Sequence, residues 1–319
     1  VIIFFILIQA ILDVAGIGAI VPILMIITES DLTQLGLITD IINYLGNPEK
    51  SILIVYSMAI LMTIFFVKSL FVTFLNYLNA SYIWSTIASL SKQVFNIYLN
   101  KPYSFHLDSN SARLISDATN EVNQVVNGIL SNFILLITDL ILAIAIISFL
   151  FFYQPGGILL VAPLIIIFIF IFLFFTKKYT KKWGFFRQVF DQERMQDLHQ
   201  GLQGIKDVKI YGKEFFFGKS YSDKTLKYAE MRKLENFLQK APSTFVEFTG
   251  ALGIAALILV LIFIGNNSSN EIIITVGLFA AAAFRLNPSL NRIASVISGI
   301  RFSIPALERL NKILNEENI

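Results

Sequence analysis

Six long apolar runs alternate with polar stretches along the chain. They cover residues 1–27, 52–78, 129–152, 157–175, 245–264 and 272–290. A helix rising about 1.5 Å per residue needs roughly 20 residues to cross a hydrocarbon core about 30 Å thick. Each run meets or approaches that length. The pattern therefore predicts an all-α membrane protein with six transmembrane helices.

Two of the polar stretches keep a helical pattern of apolar residues. Residues 77–99 and 187–238 carry apolar side chains at spacings of three and four, and neither stretch contains proline. We therefore expect the helices of the second to fifth spans to continue about 25–30 residues beyond the membrane, or roughly 40 Å per arm. The opposite connections, at 153–157 and 265–270, are rich in Gly, Asn, Ser and Pro, which indicates tight turns. The prediction is two long helical hairpins on one side.

Basic residues mark the side on which these hairpins lie. Fifteen Lys and Arg residues fall between positions 177 and 240, and three more lie between 78 and 129. Only Lys50 is basic in the connections on the other side, which carry five acidic residues. Because cytoplasmic connections are enriched in Lys and Arg, the long hairpins are expected to be cytoplasmic. A multi-pass membrane protein with its long connections in the cytoplasm is predicted.

The residue composition excludes several kinds of functional site. Hydrophobic residues make up 55% of the chain and charged residues 15%, with a mean hydropathy of +0.70. The absence of Cys excludes a disulfide frame and a thiolate metal site, and two His residues argue against a multi-histidine site. We predict no metal ligands, no catalytic residues and no nucleic-acid partner. Because the first apolar run has no small-residue cleavage site after it, we interpret Val1 as the start of a fragment rather than of a signal peptide.

The hairpin tips resemble the membrane half of an ABC exporter. Segments 98–106 (YLNKPYSFH) and 113–121 (RLISDATNE) are similar to the family's first tip and return helix, although Asn110 and Ser111 stand where the family usually has a glycine. Segment 203–214 (QGIKDVKIYGKE) resembles the approach to the second tip, which would place its coupling helix near 213–220. The resemblance implies the ABC exporter transmembrane fold. The residues expected to couple to a nucleotide-binding domain are Pro102, Tyr103, Phe105, His106, Tyr211, Lys213, Glu214 and Phe215.

Two further segments narrow the resemblance. Residues 12–22 (LDVAGIGAIVP) and 284–292 (FRLNPSLNR) are similar to bacterial lipid-linked oligosaccharide flippases, as is the insert between the first two spans. The implied function is ATP-driven flipping of a pyrophosphate-linked polyprenyl glycan by a homodimer in a bacterial inner membrane. Other open interpretations are export of another amphiphile, such as a lipid, drug or peptide, and a non-transporting scaffold or sensor.

The resemblance also implies a motor outside this sequence. Gly218-Lys219-Ser220 ends like a phosphate-binding loop, but the required earlier glycine is replaced by Lys213. We therefore expect ATP and Mg²⁺ to bind a nucleotide-binding domain supplied in cis or in trans, which makes the full transporter an ATP-hydrolysing translocase. Residues 1–310 would form the transmembrane domain, and residues 311–319 would begin the linker.

Cations inside the apolar runs are candidate substrate ligands. An ionisable side chain at membrane depth is costly, so it should face a cavity or a partner. Counted from Ile272, Arg285 and Arg292 lie about 20 and 30 Å down one helix face, and Lys68 falls at a similar depth. These three are predicted to bind an anionic pyrophosphate head group, with Arg offering forked hydrogen bonds.

A structural explanation of the same cations stays open. Arg285 and Arg292 would pair with Asp13 or Glu247, or Arg292 would extend to the interface. Asp13, Asp139 and Glu247 are expected to act chiefly as structural partners, because buried charges need pairing.

The outer insert, residues 31–46, has an amphipathic pattern. Its apolar face is formed by Leu35, Ile38, Ile41, Ile42 and Leu45. Such a helix lies along a membrane interface. It is either a platform for a polyprenyl tail or a simple lid or anchor.

Overall fold

The computed structural model describes residues 2–28, 49–263 and 269–315, and within these ranges the chain is helical with no β-strand. Two π-helical stretches, Asp117–Glu121 and Val126–Ser131, flank the short α-helix Val122–Val125. The α-helices are α1 Ile2–Gly18, α2 Ile20–Thr28, α3 Lys50–Asn100, α4 Tyr103–Asp108, α5 Ser111–Ser116, α6 Val122–Val125, α7 Asn132–Tyr153, α8 Pro155–Gln203, α9 Ile205–Ile210, α10 Glu214–Phe263 and α11 Ser269–Asn315.

The predicted fold class is confirmed. Six helical segments in the described ranges are long and apolar enough to cross a membrane. Helices α3, α8 and α10 contain 51, 49 and 50 residues, far more than a span needs. Their length follows from helical spacing that continues past the apolar runs. Pro163 and Pro242 are accommodated inside α8 and α10.

Two details differ from the sequence-based expectation. The first apolar run is divided at Ala19, which separates α1 from α2, and Pro22 stands in the first turn of α2 where its missing N–H costs little. The turn expected at 153–157 shrinks to Gln154, because Pro155 begins α8 and Gly156 and Gly157 are already helical. A Cβ on Gly157 would lie 2.7 Å from side-chain atoms of Leu257 and Phe279, so this glycine permits close packing.

The described chain forms two compact units. The first unit comprises Val1–Asn79, Ile137–Phe170 and Ser243–Ile293. Its apolar core is built by α1, α2, α7, α8, α10 and α11, with Ile146 and Leu278 fully buried. Small residues bring helices together, as where a Cβ on Gly253 would lie 2.9 Å from Val161.

The second unit comprises Ala80–Leu136, Ile171–Pro242 and Ala294–Ile319. Its apolar core joins α3, α6 and α11 through residues such as Val94, Val122 and Ala306, all of them fully buried. On α8, Gly184 approaches α11 so closely that a Cβ would lie 2.0 Å from the carbonyl oxygen of Phe302. Glycine at this position therefore fixes the contact between the two helices.

Buried ion pairs also hold the second unit. Arg187 donates to both oxygens of Glu121 at 3.2 Å, and both side chains are almost fully buried. Arg309 forms a second such pair with Asp117, which also accepts a 2.8 Å hydrogen bond from the Tyr98 hydroxyl. Tyr98 lies well beyond the apolar run that ends at residue 78. Burial and the Asp117 carboxylate raise the pKa of Tyr98, so its phenol remains protonated and donates.

Candidate functional site

A group of charged side chains lies in the first unit around Asp13. Arg285 on α11 donates from Nε to Asp13 Oδ1 at 2.8 Å and from Nη2 to Oδ2 at 2.6 Å. Lys68 on α3 places Nζ 2.5 Å from the same Oδ1. The Asp13 side chain is 0% exposed, so one buried carboxylate serves two cations.

A second ion pair in this unit joins α11 to α7. Arg292 donates from Nε to Asp139 Oδ2 at 2.8 Å and from Nη2 to Oδ1 at 2.6 Å. The same Nη2 lies 3.3 Å from the hydroxyl of Ser289. Asp139 is buried, whereas the Arg292 side chain is 44% exposed. We refer to Asp13, Lys68, Asp139, Arg285 and Arg292 together as the charge cluster.

The charge cluster carries one positive charge in excess. Three cations are set against two carboxylates, and both carboxylates are already bound by a guanidinium fork. At membrane depth such an excess is costly unless an anion is close by. The side chains of Arg285 and Arg292 are 27% and 44% exposed, and a guanidinium group suits a phosphate or carboxylate.

The structure thus places the predicted cations in two neighbouring groups of ion pairs, and each group contains one arginine of α11. Lys68 and Arg285 meet at Asp13, while Arg292 has its own acid. The ion pairs expected for Asp13 and Asp139 are present. The specific pairing of Arg292 with Asp139 was not foreseen, since the sequence shows only that both residues interrupt apolar runs. Ligand binding by the three cations stays a prediction.

An apolar cavity of about 350 Å³ opens in the same unit between α7, α8, α10 and α11. Aliphatic and aromatic residues line most of it, and Glu247 and Asn287 add polar groups. Glu247 is exposed and has no hydrogen-bond or ion-pair partner within the described ranges. The pairing with Arg285 or Arg292 considered for Glu247 is therefore not seen.

The first hairpin tip is formed by α4, a helix of six residues that follows Pro102. Tyr103 is 76% exposed, and His106 and Pro102 are also exposed. Phe105 instead stacks on Tyr98 with 6.1 Å between ring centroids, so it anchors the tip from within. The return turn needs no glycine, because Asn110 has φ −83° and its side chain accepts a 3.0 Å hydrogen bond from the backbone N–H of Ala112.

The second tip differs from the expected position of its short helix. The separate helix is α9, Ile205–Ile210, whereas most of the 213–220 range lies in the first turns of α10. Gly212 adopts φ +59° and ends α9, as glycine commonly does after a helix. Tyr211, Lys213, Glu214 and Phe215 are all exposed, and Glu214 pairs with Lys209 at 3.0 Å. The predicted residues thus line the turn that follows the short helix.

The outer insert cannot be placed. Leu35, Ile38, Ile41, Ile42 and Leu45 lie outside the described residues, as does the end of the expected linker, 316–319. Their predicted roles remain expectations from the sequence.

Comparison with known proteins decides the family. Residues 2–285 match the family model for the ABC transporter transmembrane region. The chain belongs to this family. In fold, this ABC transporter transmembrane region is similar to a solved bacterial Atm1-family ABC exporter with ATP bound, with a TM-score of 0.74 and 14% identity, over 97% of this chain and 52% of that one. At this identity the likeness concerns the fold alone.

A curated relative gives a consistent result. The uncharacterized ABC transporter ATP-binding protein YknV of Bacillus subtilis (strain 168) is 24% identical over 246 residues, which is 72% of this chain and 38% of that protein. The ABC transporter transmembrane region described here therefore spans about half or less of the length of the proteins it matches. It is a multi-pass membrane protein with the ABC exporter transmembrane fold.

Proposed function

We propose that this chain is the transmembrane half of a homodimeric, ATP-driven flippase that moves a pyrophosphate-linked polyprenyl glycan across a bacterial inner membrane. The observation that carries the proposal is the excess positive charge of the charge cluster. A pyrophosphate supplies negative charge beside the three cations and enough oxygens for Arg285, Arg292 and Lys68 to share.

In the proposed cycle, the long hairpins lie in the cytoplasm and their tips contact nucleotide-binding domains. Those domains bind ATP and Mg²⁺ and close around the bound ATP. Their closure moves the hairpins as rigid bodies, and this movement changes the side of the membrane from which the substrate site is accessible. The exposed tip residues Tyr103, Tyr211 and Phe215 are suited to such a contact. Membership of a transporter family favours this function over a scaffold or sensor.

The experiment uses the full transporter, with its nucleotide-binding domains, in proteoliposomes. Polyprenyl pyrophosphate should stimulate ATP hydrolysis, and Arg285→Gln together with Arg292→Gln should abolish that stimulation while basal hydrolysis remains. Lys181→Ala is the matched control, because this Lys pairs with Glu308 in an exposed position. Equal stimulation of the double variant and the wild type would refute the head-group assignment.

A second candidate is an exporter of cationic amphiphiles, favoured by Glu247 at the apolar cavity. A carboxylate without a described partner in an apolar setting can bind an ammonium group. For this cargo, a cationic detergent-like probe should stimulate hydrolysis, and Glu247→Gln should remove the effect. Stimulation by pyrophosphate lipid that survives Glu247→Gln would favour the flippase.

A further inference from the structure

A polar cleft of about 500 Å³ lies wholly within the second unit. One wall is formed by the helical stretch that follows α5, which presents Asn120, Asn123, Gln124, Asn127 and Asn132 to the cleft. All five line the cleft, and the row includes π-helical turns: Asn120 lies in Asp117–Glu121 and Asn127 in Val126–Ser131. Such interruptions of an α-helix are frequent at functional sites.

The opposite walls come from α8 and α10 and are held rigidly. Tyr228 lies between two arginines: the Arg194 guanidinium is 4.1 Å from the ring centroid, and that of Arg232 is 5.7 Å away. Arg232 also donates to the Tyr228 hydroxyl at 3.1 Å and to Gln124 at 2.9 Å. These bonds fix side chains of both walls before any ligand binds.

The charges of the cleft cancel. Arg187 is bound by Glu121, Arg194 by Asp191 at 2.6 Å, and Arg232 by Glu235 at 2.8 Å. Each guanidinium thus has a carboxylate of its own, in contrast to the charge cluster around Asp13. A phosphate would meet the carboxylates of Asp191 and Glu235, and each arginine of the cleft is already paired, so the cleft does not suit an anion.

Two hydrogen-bonding groups of the cleft nevertheless have no partner among the described residues. Arg187 is 1% exposed, and its Nε has no hydrogen-bond partner among the described residues. Asn127 is exposed and likewise has no partner in the described part of the chain. Buried donors are normally satisfied, and a polar ligand in the cleft or a water that bridges to Arg187 would supply the acceptor for this Nε.

We propose that the cleft binds the neutral saccharide portion of the transported molecule. This inference rests on the proposed flippase function and names the part of the substrate that the cleft takes. Sugar hydroxyls donate and accept at once, and they match carboxamides, which also offer both. Balanced charge and an amide-rich wall select a neutral, hydroxyl-rich ligand, whereas the excess positive charge of the charge cluster selects the pyrophosphate.

The test measures binding of short neutral oligosaccharides, built of hexose and N-acetylhexosamine units without lipid or phosphate, to the full transporter in nanodiscs. Calorimetry or saturation-transfer NMR should detect binding to the wild type. Asn123→Leu with Asn127→Leu should weaken it about tenfold, as expected for two lost hydrogen bonds. Asn96→Leu is the control, because Asn96 is exposed on α3 and does not line the cleft.

Two results would overturn the inference: no oligosaccharide binds the wild type, or binding is unchanged in the Asn123/Asn127 variant. Failure of the proposed function is distinguishable from either. If pyrophosphate lipid does not stimulate hydrolysis but oligosaccharides bind through Asn123 and Asn127, the flippase proposal fails: the cleft is then a saccharide site, and the saccharide is not part of a flipped pyrophosphate lipid. If stimulation depends on Arg285 but oligosaccharides do not bind, only the saccharide site fails.

Discussion

Arg285 and Asp13 form a two-point ion pair although 272 positions separate them along the chain. The fork uses Nε and Nη2 of the guanidinium against both carboxylate oxygens, and Lys68 adds a third contact to the same acid. The arrangement links α1, α3 and α11 through one buried carboxylate. Because one acid neutralises two cations, replacing the acid should affect stability more than replacing either cation.

We expect Asp13→Ala to destabilise the protein more than Arg285→Ala. Removing Asp13 leaves two poorly exposed cations without an acid, while removing Arg285 leaves Asp13 paired with Lys68. Breaking a buried pair costs about 3–5 kcal/mol, and the Arg285 change should cost less. Thermal unfolding in detergent measures both. Glu247→Ala serves as control for loss of an acid without a described partner, and an equal loss of stability in the first two variants would contradict the shared-carboxylate interpretation.

The Glu121–Arg187 pair should stabilise the protein only when both side chains are present, so losing either one should lower the free energy of unfolding. Either Glu121→Ala or Arg187→Ala leaves a buried charge alone and should cost about 3–5 kcal/mol. Replacing both with Leu and Met should recover much of that loss, since the unpaired charge is gone. The exposed Lys181–Glu308 pair gives the comparison, where Lys181→Ala should change the free energy of unfolding by less than about 1 kcal/mol. The prediction fails if the double variant is less stable than both single variants.

Gly184→Ala should separate α8 from α11. Its Cβ would lie 2.0 Å from the backbone carbonyl of Phe302, which cannot turn aside as a side chain can. Overpacking of this kind typically costs about 1–3 kcal/mol, measurable as a lower unfolding temperature. Gly218→Ala is the matched control, because no atom lies within 4 Å of its added Cβ. This second change should be neutral or stabilise α10 by about 0.5–1 kcal/mol.

Two substitutions in the first hairpin tip should have different effects, one on the coupling to ATP hydrolysis and the other on the stability of the protein. Tyr103→Ala removes an exposed ring and should reduce substrate-stimulated ATP hydrolysis in the full transporter without lowering its unfolding temperature. Phe105→Ala removes the ring stacked on Tyr98 and should lower that temperature, at roughly half of the about 3–5 kcal/mol of a fully buried Phe. Wild-type coupling in the Tyr103 variant would argue against its contact with a nucleotide-binding domain.

Much of the hairpin tips could be anticipated because turn chemistry is local. Pro102 begins α4 and Gly212 ends α9 through their own backbone preferences. The short helix of the second tip was nonetheless placed too late in the chain, at 213–220. The local signal lies in Gly204 and Gly212, which stand just before and just after the segment that forms α9, and the placement at 213–220 does not use it.

The sequence by itself determined the number of spans, their order and the extension of three helices to about 50 residues. These features follow from the length of apolar runs and from periodic spacing, which each segment carries alone. Only the tertiary structure decided that Arg285 takes Asp13, that Arg292 takes Asp139, and that the amides near Asn123 face Arg232 across a cleft. Such pairings depend on how distant helices pack. A charged or polar residue in a sequence shows that it needs a partner, but the packing selects which one.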